Sequence, residues 1–400
     1  MPEPMKLRSA LKANMIQVAL FIVVLAVSAL VAGCRALGPA TAKDSEISAM
    51  IDRIIDKAVE TSLLSSRELV FSVNHHVDDG VVTLSGESSD ETMKREIMQH
   101  ISEIAGIRVV DEILVLPSPP LREKAWGIVT HPVVNLGDAP GESEDKHTVT
   151  QARLGDVVRI LYEEDDWYMV QMHDKYLGWI YSGHISLGDW PHVDNFFKGP
   201  VGMVVAKMTP ALDGPDGESI FDKRLVQGTV LPVSSVIDDW YVLDLPGDGV
   251  AYVKASDIQE YSSFDEVFKG QKSSHAVVQG AKQYLGLPYL WGGCTSYGFD
   301  CSGFTQFIFK LNGYHLRRDA DLQYMQGDSI TDTSSLLPGD LVFFQTYEKG
   351  PSHVGIFIGD SHFIHSGSKG VAINSLDPAH PDYSEALSQK YLGARRVIKE

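Results

Sequence analysis

Apolar residues recur at helical spacing soon after the N-terminal segment of the chain. Residues 45–62 place apolar side chains on one face of a predicted helix: Ile47, Met50, Ile51, Ile54 and Ile55. The segments LVFSVNHHVDD and GVVTLSGES, on either side of the turn signal DDG, read as strands. Residues 90–105 predict a second helix, and IRVVDEILVL predicts a third strand. The predicted order is therefore helix, strand, strand, helix, strand.

Short β-rich segments occupy the middle of the chain in two sets, from about residue 125 to 188 and from about 200 to 260. The phrases DDWYMVQM and DDWYVLDL hold equivalent places in the two sets and indicate an internal repeat. Aromatic residues of these sets fit either a stacking surface for a ligand or, as we favour, the core of a small barrel: Trp167, Tyr168, Trp179, Trp240 and Tyr241.

The last part of the chain mixes helices and strands. A helix is expected to end near AKQYLG, and the glycine-rich stretch LPYLWGGCTSYG leads to a second helix at Cys301. LLPGDLVFF, SHVGIFIGD, HFIHSG and GVAINSL then alternate or run apolar, which is typical of an antiparallel sheet. Further upstream, PSPP at residues 117–120 removes backbone donors and predicts a linker rather than an element.

The N-terminus has the order of a secretory signal. Lys6, Arg8 and Lys12 precede an apolar run that ends directly at Cys34. The length of that run leaves a retained membrane-spanning helix as the alternative.

Composition narrows the possible classes of function. A chain of 400 residues suggests about three or four domains, and 44% hydrophobic with 22% charged residues describes an ordinary globular protein. The formal net charge of −19 argues against nucleic acid as a partner and against electrostatic attraction to anionic lipid. Three cysteines, Cys34, Cys294 and Cys301, make an obligatory disulfide framework unlikely, and Cys294 is interpreted as a small residue in a turn.

Candidate chemistry first appears in the stretch GFDCSGFTQFIFK. With Asp300 as N-cap, Cys301 is the first helical residue, and Gly313 ends the helix. A sulfur at a helix N-terminus meets free N–H groups and the positive end of the helix dipole, which favour the nucleophilic thiolate. The alternative is a small apolar residue in a core, and this stretch by itself does not decide between the two.

Two histidines bracket a predicted hairpin downstream of Cys301. If the loop is three residues centred on Gly359, positions that sum to 718 lie opposite each other, which places His353 beside His365 on one face. A two-residue loop would put the two imidazoles on opposite faces. A thiol nucleophile needs a base and a polar group that orients the base, and these three residues supply the required types.

Three resemblances cover the regions before the Cys301 domain. VAGC resembles the bacterial lipobox, which implies that residues 1–33 are a signal peptide and that Cys34 is lipidated. The residue after Cys34 is Arg35, and in such lipoproteins this implies anchoring in the outer membrane, facing the periplasm. Residues 45–116, with GVVTLSG and GIRVVDEILVL, resemble the BON domain, an α+β module associated with membrane or phospholipid binding. After the linker at 117–124, residues 125–190 and 198–262 resemble two SH3-like barrels of exported bacterial hydrolases.

Residues 265–400 resemble the NlpC-type papain-like cysteine peptidases, through YLWGG, FDCSGF, LLPGDLVFF, SHVGIFIG and FIHS. The resemblance implies an α+β fold with an antiparallel sheet, Cys301 as nucleophile, His353 as base and His365 as the orienting residue. Tyr289 would assist the Cys301 N–H in holding the oxyanion.

RRDADLQ, DCSG and the SH3-like domains narrow the likeness to the dipeptidyl-peptidase-like branch. Its pattern implies a substrate-binding set in which the two carboxylates hold the free amine of the L-Ala residue: Asp300, Ser302, Asp319 and Trp291. This branch often has a glutamate before a TQ pair, whereas this chain has Lys146 and His147 there, with Glu142, Glu144 or Asp145 as possible substitutes.

The implied function is a lipid-anchored peptidoglycan hydrolase that cleaves γ-D-glutamyl-diaminopimelate bonds in stem peptides through a cysteine thioester. No metal or organic cofactor is expected, and the adjacent His75 and His76 on a strand point to opposite faces, which argues against a metal site there. Two alternatives stay open: a noncatalytic protein that tethers cell wall to membrane, and an amidase or acyltransferase of the same fold. The BON-like region is expected to assist envelope association without taking part in the chemistry.

Overall fold

The computed structural model describes residues 41–141 and 147–399. The predicted signal peptide, Cys34 and the acidic candidates Glu142, Glu144 and Asp145 lie outside the described residues. Within the described ranges, no helix combines the length and the apolar character needed to cross a membrane.

The first module is an α+β unit built from two helices and three strands: α1 (Ala42–Ser62), β1 (Phe71–Asp78), β2 (Val81–Ser88), α2 (Glu91–Ser102) and β3 (Arg108–Val115). The central strand β2 pairs antiparallel with β1 and parallel with β3. Both helices bury their apolar faces against this sheet, where Ile51, Ile97 and Leu84 share one core. The predicted order of elements is confirmed.

The proline-rich segment after this module is structured. Residues Pro119–Lys124 form a 3-10 helix, and Leu121 packs into the core of the next module. The prediction of a linker without an element is therefore wrong for this stretch. Proline suits the first turn of a helix, because the backbone donor it lacks has no partner there.

The second module contains a seven-stranded sheet and a short helix: β4 (Trp126–Val129), β5 (Val133–Gly137), β6 (Thr148–Arg153), β7 (Val157–Glu164), β8 (Trp167–Gln171), β9 (Leu177–Tyr181), β10 (Ile185–Gly188) and α3 (Trp190–Phe196). The strands lie in the order β10-β4-β7-β8-β9-β5-β6.

The third module is also built from β-strands, with fewer of them in its main sheet. Its strands are β11 (Val201–Val204), β12 (Met208–Thr209), β13 (Leu225–Val226), β14 (Val230–Ile237), β15 (Trp240–Asp244), β16 (Val250–Lys254) and β17 (Ile258–Tyr261), of which β12 and β13 pair only with each other. The five-stranded sheet has the order β16-β15-β14-β11-β17. Among the described residues neither main sheet closes on itself, so both SH3-like modules are open sheets rather than closed barrels.

The two β modules share one hairpin design. In each, a two-residue loop begins at an aspartate with positive φ, Asp165 at 51° and Asp238 at 50°. Aspartate tolerates this left-handed conformation, which two-residue hairpin loops require. The aromatic strand follows in both cases, and the internal repeat is confirmed. Among its aromatic residues, Tyr168 and Trp179 are buried, as a core role predicts, whereas Trp240 is half-buried.

The C-terminal domain combines a six-stranded antiparallel sheet with a buried helix. Its elements are α4 (Ser274–Lys282), β18 (Cys294–Thr295), β19 (Gly298–Phe299), α5 (Cys301–Leu311), α6 (Ala320–Gln323), β20 (Asp328–Ile330), β21 (Leu341–Phe344), β22 (His353–Gly359), β23 (His362–Gly367), β24 (Gly370–Ser375), α7 (Glu385–Ser388) and β25 (Tyr391–Arg396). The strand order is β20-β25-β21-β22-β23-β24. Phe304 and Ile308 of α5 pack against Val354 and Ile356 of β22, and this packing brings the N-terminus of α5 to the sheet.

The loop between α1 and β1 contacts both the second module and the C-terminal domain. The N–H of Leu177 donates to the Arg67 carbonyl over 2.8 Å, and Gln171 Nε2 donates to the Glu68 carbonyl over 2.8 Å. The Glu68 carboxylate, which is 1% exposed, forms an ion pair with Arg317. The BON-like module is therefore docked onto the C-terminal domain by polar contacts.

Candidate active site

The nucleophile candidate Cys301 stands where the sequence placed it. It is the first residue of α5, and the N-cap Asp300 accepts a hydrogen bond from the Gly303 N–H over 2.6 Å. The helix buries Phe304 and Phe307 against the sheet, which fixes the direction of its first turn.

The resting state of the Cys301 thiol differs from the expected thiolate. Burial, with the Asp300 carboxylate as the next cause, raises the pKa of Cys301 to about 12. The N–H groups of Val354 and Ser302 act in the opposite direction but are outweighed. The helix terminus favours the thiolate as expected, but loss of hydration opposes the charge more strongly.

His353 and His365 are joined by a hydrogen bond of 2.7 Å between Nε2 of the first and Nδ1 of the second. His365 Nε2 lies 3.0 Å from Asn374 Oδ1, and Asn374 Nδ2 donates to the carbonyl of Asp382 over 3.0 Å. This series of contacts runs from the edge strand β24 to the first residue of β22.

The contacts of Asn374 determine the protonation of both rings. Its amide nitrogen is used by Asp382, so its oxygen faces His365 and must accept the Nε2–H. His365 Nδ1 is then an acceptor, and His353 Nε2 must donate to it. His353 Nδ1 is consequently the nitrogen without a proton, which is the form a general base requires.

Burial keeps this pair of histidines neutral. Burial, with His365 as the second cause, lowers the pKa of His353 to about 3, and burial also lowers the pKa of His365. Because the sulfur of Cys301 faces the Val354 N–H, the thiol lies beside the start of β22. In the part of the chain that the structure describes, no hydrogen bond joins the sulfur to an imidazole, and such bonds often tighten only with substrate.

The hairpin that carries the two histidines has a different register from the predicted one. Its loop is the two-residue turn Asp360–Ser361, with φ of 48° and 61°. Ile356 pairs with Ile364 and Phe357 with Phe363, whereas the predicted register would pair residues whose numbers sum to 718. A two-residue turn by itself would place the imidazoles on opposite faces. The ladder shifts between Phe357 and Gly359, however, and this bulge returns both rings to one face.

Gly355 makes room for the diagonal contact between the two rings. A Cβ at this position would lie 3.0 Å from the Cβ of His365 and 2.9 Å from the carbonyl oxygen of Ile364. Only glycine leaves the space through which His365 reaches back to His353.

A cleft of about 220 Å³ opens above Cys301. Tyr289 and Trp291 line it, and Trp291 is 47% exposed with its ring 6.0 Å from that of Tyr347. Burial, followed by the nearby Cys301, raises the pKa of Tyr289, so its hydroxyl keeps the proton it would donate to an oxyanion. Sequence analysis missed Tyr347, which lies in a loop without a recognisable pattern.

Asp300 and Ser302 lie in the cleft but are already engaged. Both accept hydrogen bonds from Arg318, at 2.5 Å to Asp300 Oδ2 and 3.1 Å to Ser302 Oγ. Arg318 is completely buried, and Nε of its guanidinium donates to Thr150 of the second module over 3.1 Å. Asp300, which was predicted to bind the substrate amine, thus caps α5 and neutralises a buried arginine that sequence analysis did not assign.

Asp319 lies at the far end of the same cleft and is also paired. Its Oδ2 accepts hydrogen bonds from Arg67 Nη1 over 2.7 Å and from the Tyr176 hydroxyl over 2.8 Å. Burial raises the pKa of Asp319, while Arg318 and Arg67 oppose that rise. Neither Arg67 nor Tyr176 was predicted, because they belong to other modules of the chain.

Cys294, His75 and His76 do not belong to the catalytic group. Cys294 is buried, its N–H donates to Gln151 Oε1 over 3.1 Å, and both described cysteines are free thiols. Exposure alternates along β1, which confirms that His75 and His76 point to opposite faces. Across residues 41–141 and 147–399, no group of three His, Cys, Asp or Glu side chains could hold a metal ion.

Comparison with known proteins finds family models that match three regions of the chain. Models described as the NlpC/P60 family, the bacterial dipeptidyl-peptidase Sh3 domain and the BON domain match residues 286–395, 141–185 and 49–117. The chain is 30% identical over 260 residues to a γ-D-glutamyl-L-lysine dipeptidyl-peptidase of Bacillus cereus, covering 62% of this chain and 75% of the relative.

Two further matches concern the C-terminal part and the fold. A Bacillus subtilis protein named "Probable peptidoglycan endopeptidase LytE" is 42% identical over 120 residues, which are 30% of this chain and 33% of that protein. The crystal structure of an NlpC/P60 family protein from Bacillus cereus superimposes with a TM-score of 0.59 at 25% identity, covering 68% of this chain and 100% of that chain. The protein described above therefore belongs to the NlpC/P60 family of cysteine-type peptidases, and it carries a BON domain and SH3-like domains ahead of its hydrolase domain.

Proposed function

We propose that the protein is a peptidoglycan endopeptidase that hydrolyses the γ-D-glutamyl bond to the diamino acid of a stem peptide. The observation that carries this proposal is the series Asn374, His365 and His353, which presents an unprotonated imidazole nitrogen at the strand beside the Cys301 sulfur. The names of the relatives, a γ-D-glutamyl-L-lysine dipeptidyl-peptidase and a peptidoglycan endopeptidase, support the substrate class.

The first half of the reaction forms a thioester. Because thiol and imidazole are both neutral at rest, the proton of Cys301 moves to His353 Nδ1 as the sulfur attacks the γ-carbonyl carbon. The N–H of Cys301 and the Tyr289 hydroxyl hold the oxyanion. The C–N bond then breaks, His353 gives its proton to the leaving amine, and the acyl group stays on sulfur.

The second half releases the acid. A water molecule loses a proton to His353 Nδ1 and attacks the thioester carbonyl, and the collapse of that adduct breaks the C–S bond. The proton returns to the sulfur, and the product leaves as a carboxylic acid. His365 and Asn374 hold the base in one tautomer throughout.

Defined peptides test this proposal. The full chain should hydrolyse L-Ala-γ-D-Glu-diaminopimelate, with its amino end either free or acetylated, and release free diaminopimelate, as measured by mass spectrometry. The lysine analogue shows how strictly the third residue is selected. A covalent adduct on Cys301, trapped at low pH, would support the thioester. Cleavage of no γ-D-glutamyl peptide, with binding of intact wall, would favour the noncatalytic tether instead.

The N-terminal segment motivates a proposal on location. Residues 1–33 would be removed, Cys34 would carry lipid, and the mature protein would face the periplasm from the outer membrane, where the BON domain would add contact with phospholipid. Mass analysis of the exported protein should find a lipidated N-terminal cysteine at position 34. An unmodified N-terminus upstream of Cys34 would favour the retained membrane-spanning helix.

A further inference from the structure

The BON domain contributes a charged side chain to the catalytic cleft. Arg67 donates from Nη1 to Asp319 over 2.7 Å and from Nη2 to Asp321 over 2.5 Å. All three side chains line the cleft that holds Cys301. We refer to Arg67, Tyr176, Asp319 and Asp321 as the recognition end of the cleft.

The position of Arg67 is fixed by contacts that do not involve its side chain. Its carbonyl accepts from the Leu177 N–H, and the neighbouring Glu68 pairs with Arg317 and accepts from Gln171. At the same end of the sheet of this domain, Arg159 donates to the carbonyl of Leu116 over 2.6 Å. The guanidinium therefore stays at the recognition end because its backbone is held there.

The pairing changes what this end of the cleft can bind. A substrate ammonium that approaches Asp319 meets a guanidinium already hydrogen-bonded to the same carboxylate, and two like charges at that distance repel. An acylated amino end carries no charge, and its carbonyl oxygen can accept a hydrogen bond from a guanidinium N–H. Arg67 is 40% exposed, so some of its donors remain within reach of a ligand.

We propose that Arg67 is a specificity-determining residue that directs the cleft toward stem peptides whose amino end is acylated and away from peptides with a free amine. This inference rests on the proposed γ-D-glutamyl endopeptidase function and assigns it a substrate class. A residue of the appended domain thus disfavours one ligand by repulsion, which is a common way to obtain specificity.

Paired substrates test the inference in the full chain. Wild type, Arg67→Gln and Arg67→Lys are assayed with L-Ala-γ-D-Glu-diaminopimelate and with its N-acetyl form. Arg67→Gln should raise kcat/KM for the free amine relative to the acetylated peptide by about tenfold or more, because the repelling charge is lost. Arg67→Lys keeps the charge and should stay near the wild-type ratio.

A matched control distinguishes an effect of the charge in the cleft from an effect of any charge change in the BON domain. Arg95 lies on α2 of the BON domain, where its exposed side chain contacts only Thr92 of the same helix among the described hydrogen bonds, so Arg95→Gln should leave the ratio unchanged. An equal rise for both substrates in Arg67→Gln would show a general block and overturn the inference. An unchanged ratio would overturn it as well.

A binding experiment distinguishes failure of this inference from failure of the proposed function. Calorimetry in the Cys301→Ala background compares L-Ala-D-Glu with its N-acetyl form, with and without Arg67→Gln. A shift of the affinity ratio toward the free amine by about tenfold supports the role of Arg67 even if no variant hydrolyses a peptide. Equal affinities in both backgrounds, or no binding of either ligand, would overturn it.

Discussion

The two ends of the catalytic cleft are built in different ways. The reactive end, comprising Cys301, His353, His365 and Asn374, comes entirely from α5 and three adjacent strands of one domain. The recognition end is assembled from the BON domain, the first SH3-like domain and the N-terminus of α6, and its members are separated by up to 254 residues in the chain.

This difference separates chemistry from selection. A proton relay needs distances near 3 Å, and neighbouring strands of one sheet provide them with little freedom. Recognition of the far end of a substrate can be altered by any domain that docks there, because it depends on the charge and shape presented. The docked BON domain therefore influences specificity in this family member while the reactive end stays within the hydrolase domain.

The largest expected effect comes from removing the nucleophile or base. Cys301→Ala or His353→Ala should lower kcat by about 10⁴-fold or more, and the double variant should be no worse than either alone, since the two groups act as a unit. Steady-state assays on the defined peptide check this. Cys294→Ala serves as the thiol control, and loss of activity in that variant with retention in Cys301→Ala would reverse the assignment.

The buried ion pair next to the nucleophile should dominate the stability of the site. Arg318→Met leaves the Asp300 carboxylate buried without its partner and should cost about 3–5 kcal/mol of unfolding free energy for the hydrolase domain. Hydrogen exchange of the α5 amides under denaturant measures the unfolding free energy of the hydrolase domain separately from that of the other domains.

Adding Asp300→Asn to Arg318→Met should recover part of the loss, because asparagine still caps the helix and carries no charge. Strictly additive losses in the double variant would show that the ion pair is not the cause.

Variants of Asn374 test whether activity depends on the tautomer of His365 and His353. Asn374→Ala removes the acceptor that holds the His365 proton and should lower kcat by about 10-fold to 100-fold with little change in KM. Asn374→Asp keeps an acceptor but stabilises protonated imidazole, so the acid limb of its activity profile should move to higher pH. If both variants had wild-type profiles, the relay would not extend to Asn374.

The smallest effect is a displacement along the pH axis. Because burial lowers the pKa of His353 to about 3, the base should remain unprotonated well below the ordinary histidine value of about 6.5. The acid limb of kcat/KM should therefore lie below that value, with activity lost only as pH falls further. A limb at or above pH 6.5 would mean that substrate-free His353 is solvated and not buried as described.

The sequence predicted the reactive residues because their signals are local. The N-cap Asp300, the apolar face after Cys301 and the glycine-rich stretch before it all lie within one short segment, and the structure places each as expected. The register between β22 and β23 was not predictable from the alternation of residues. The two-residue turn moves the two imidazoles to opposite faces of the sheet, and the bulge moves them back to one face. Only the hydrogen-bonded ladder of the folded sheet shows that these two effects cancel.

The sequence by itself determined the types of chemistry available, namely a cysteine at a helix N-terminus, histidines on a hairpin and carboxylates near the cleft. Tertiary structure decided their states and their partners: a protonated thiol, a neutral base, and Asp319 paired with Arg67 of another domain. The physical reason is that helix caps and apolar faces depend on residues a few positions apart. Burial and ion pairing depend on everything packed around a group, including segments far away in the chain.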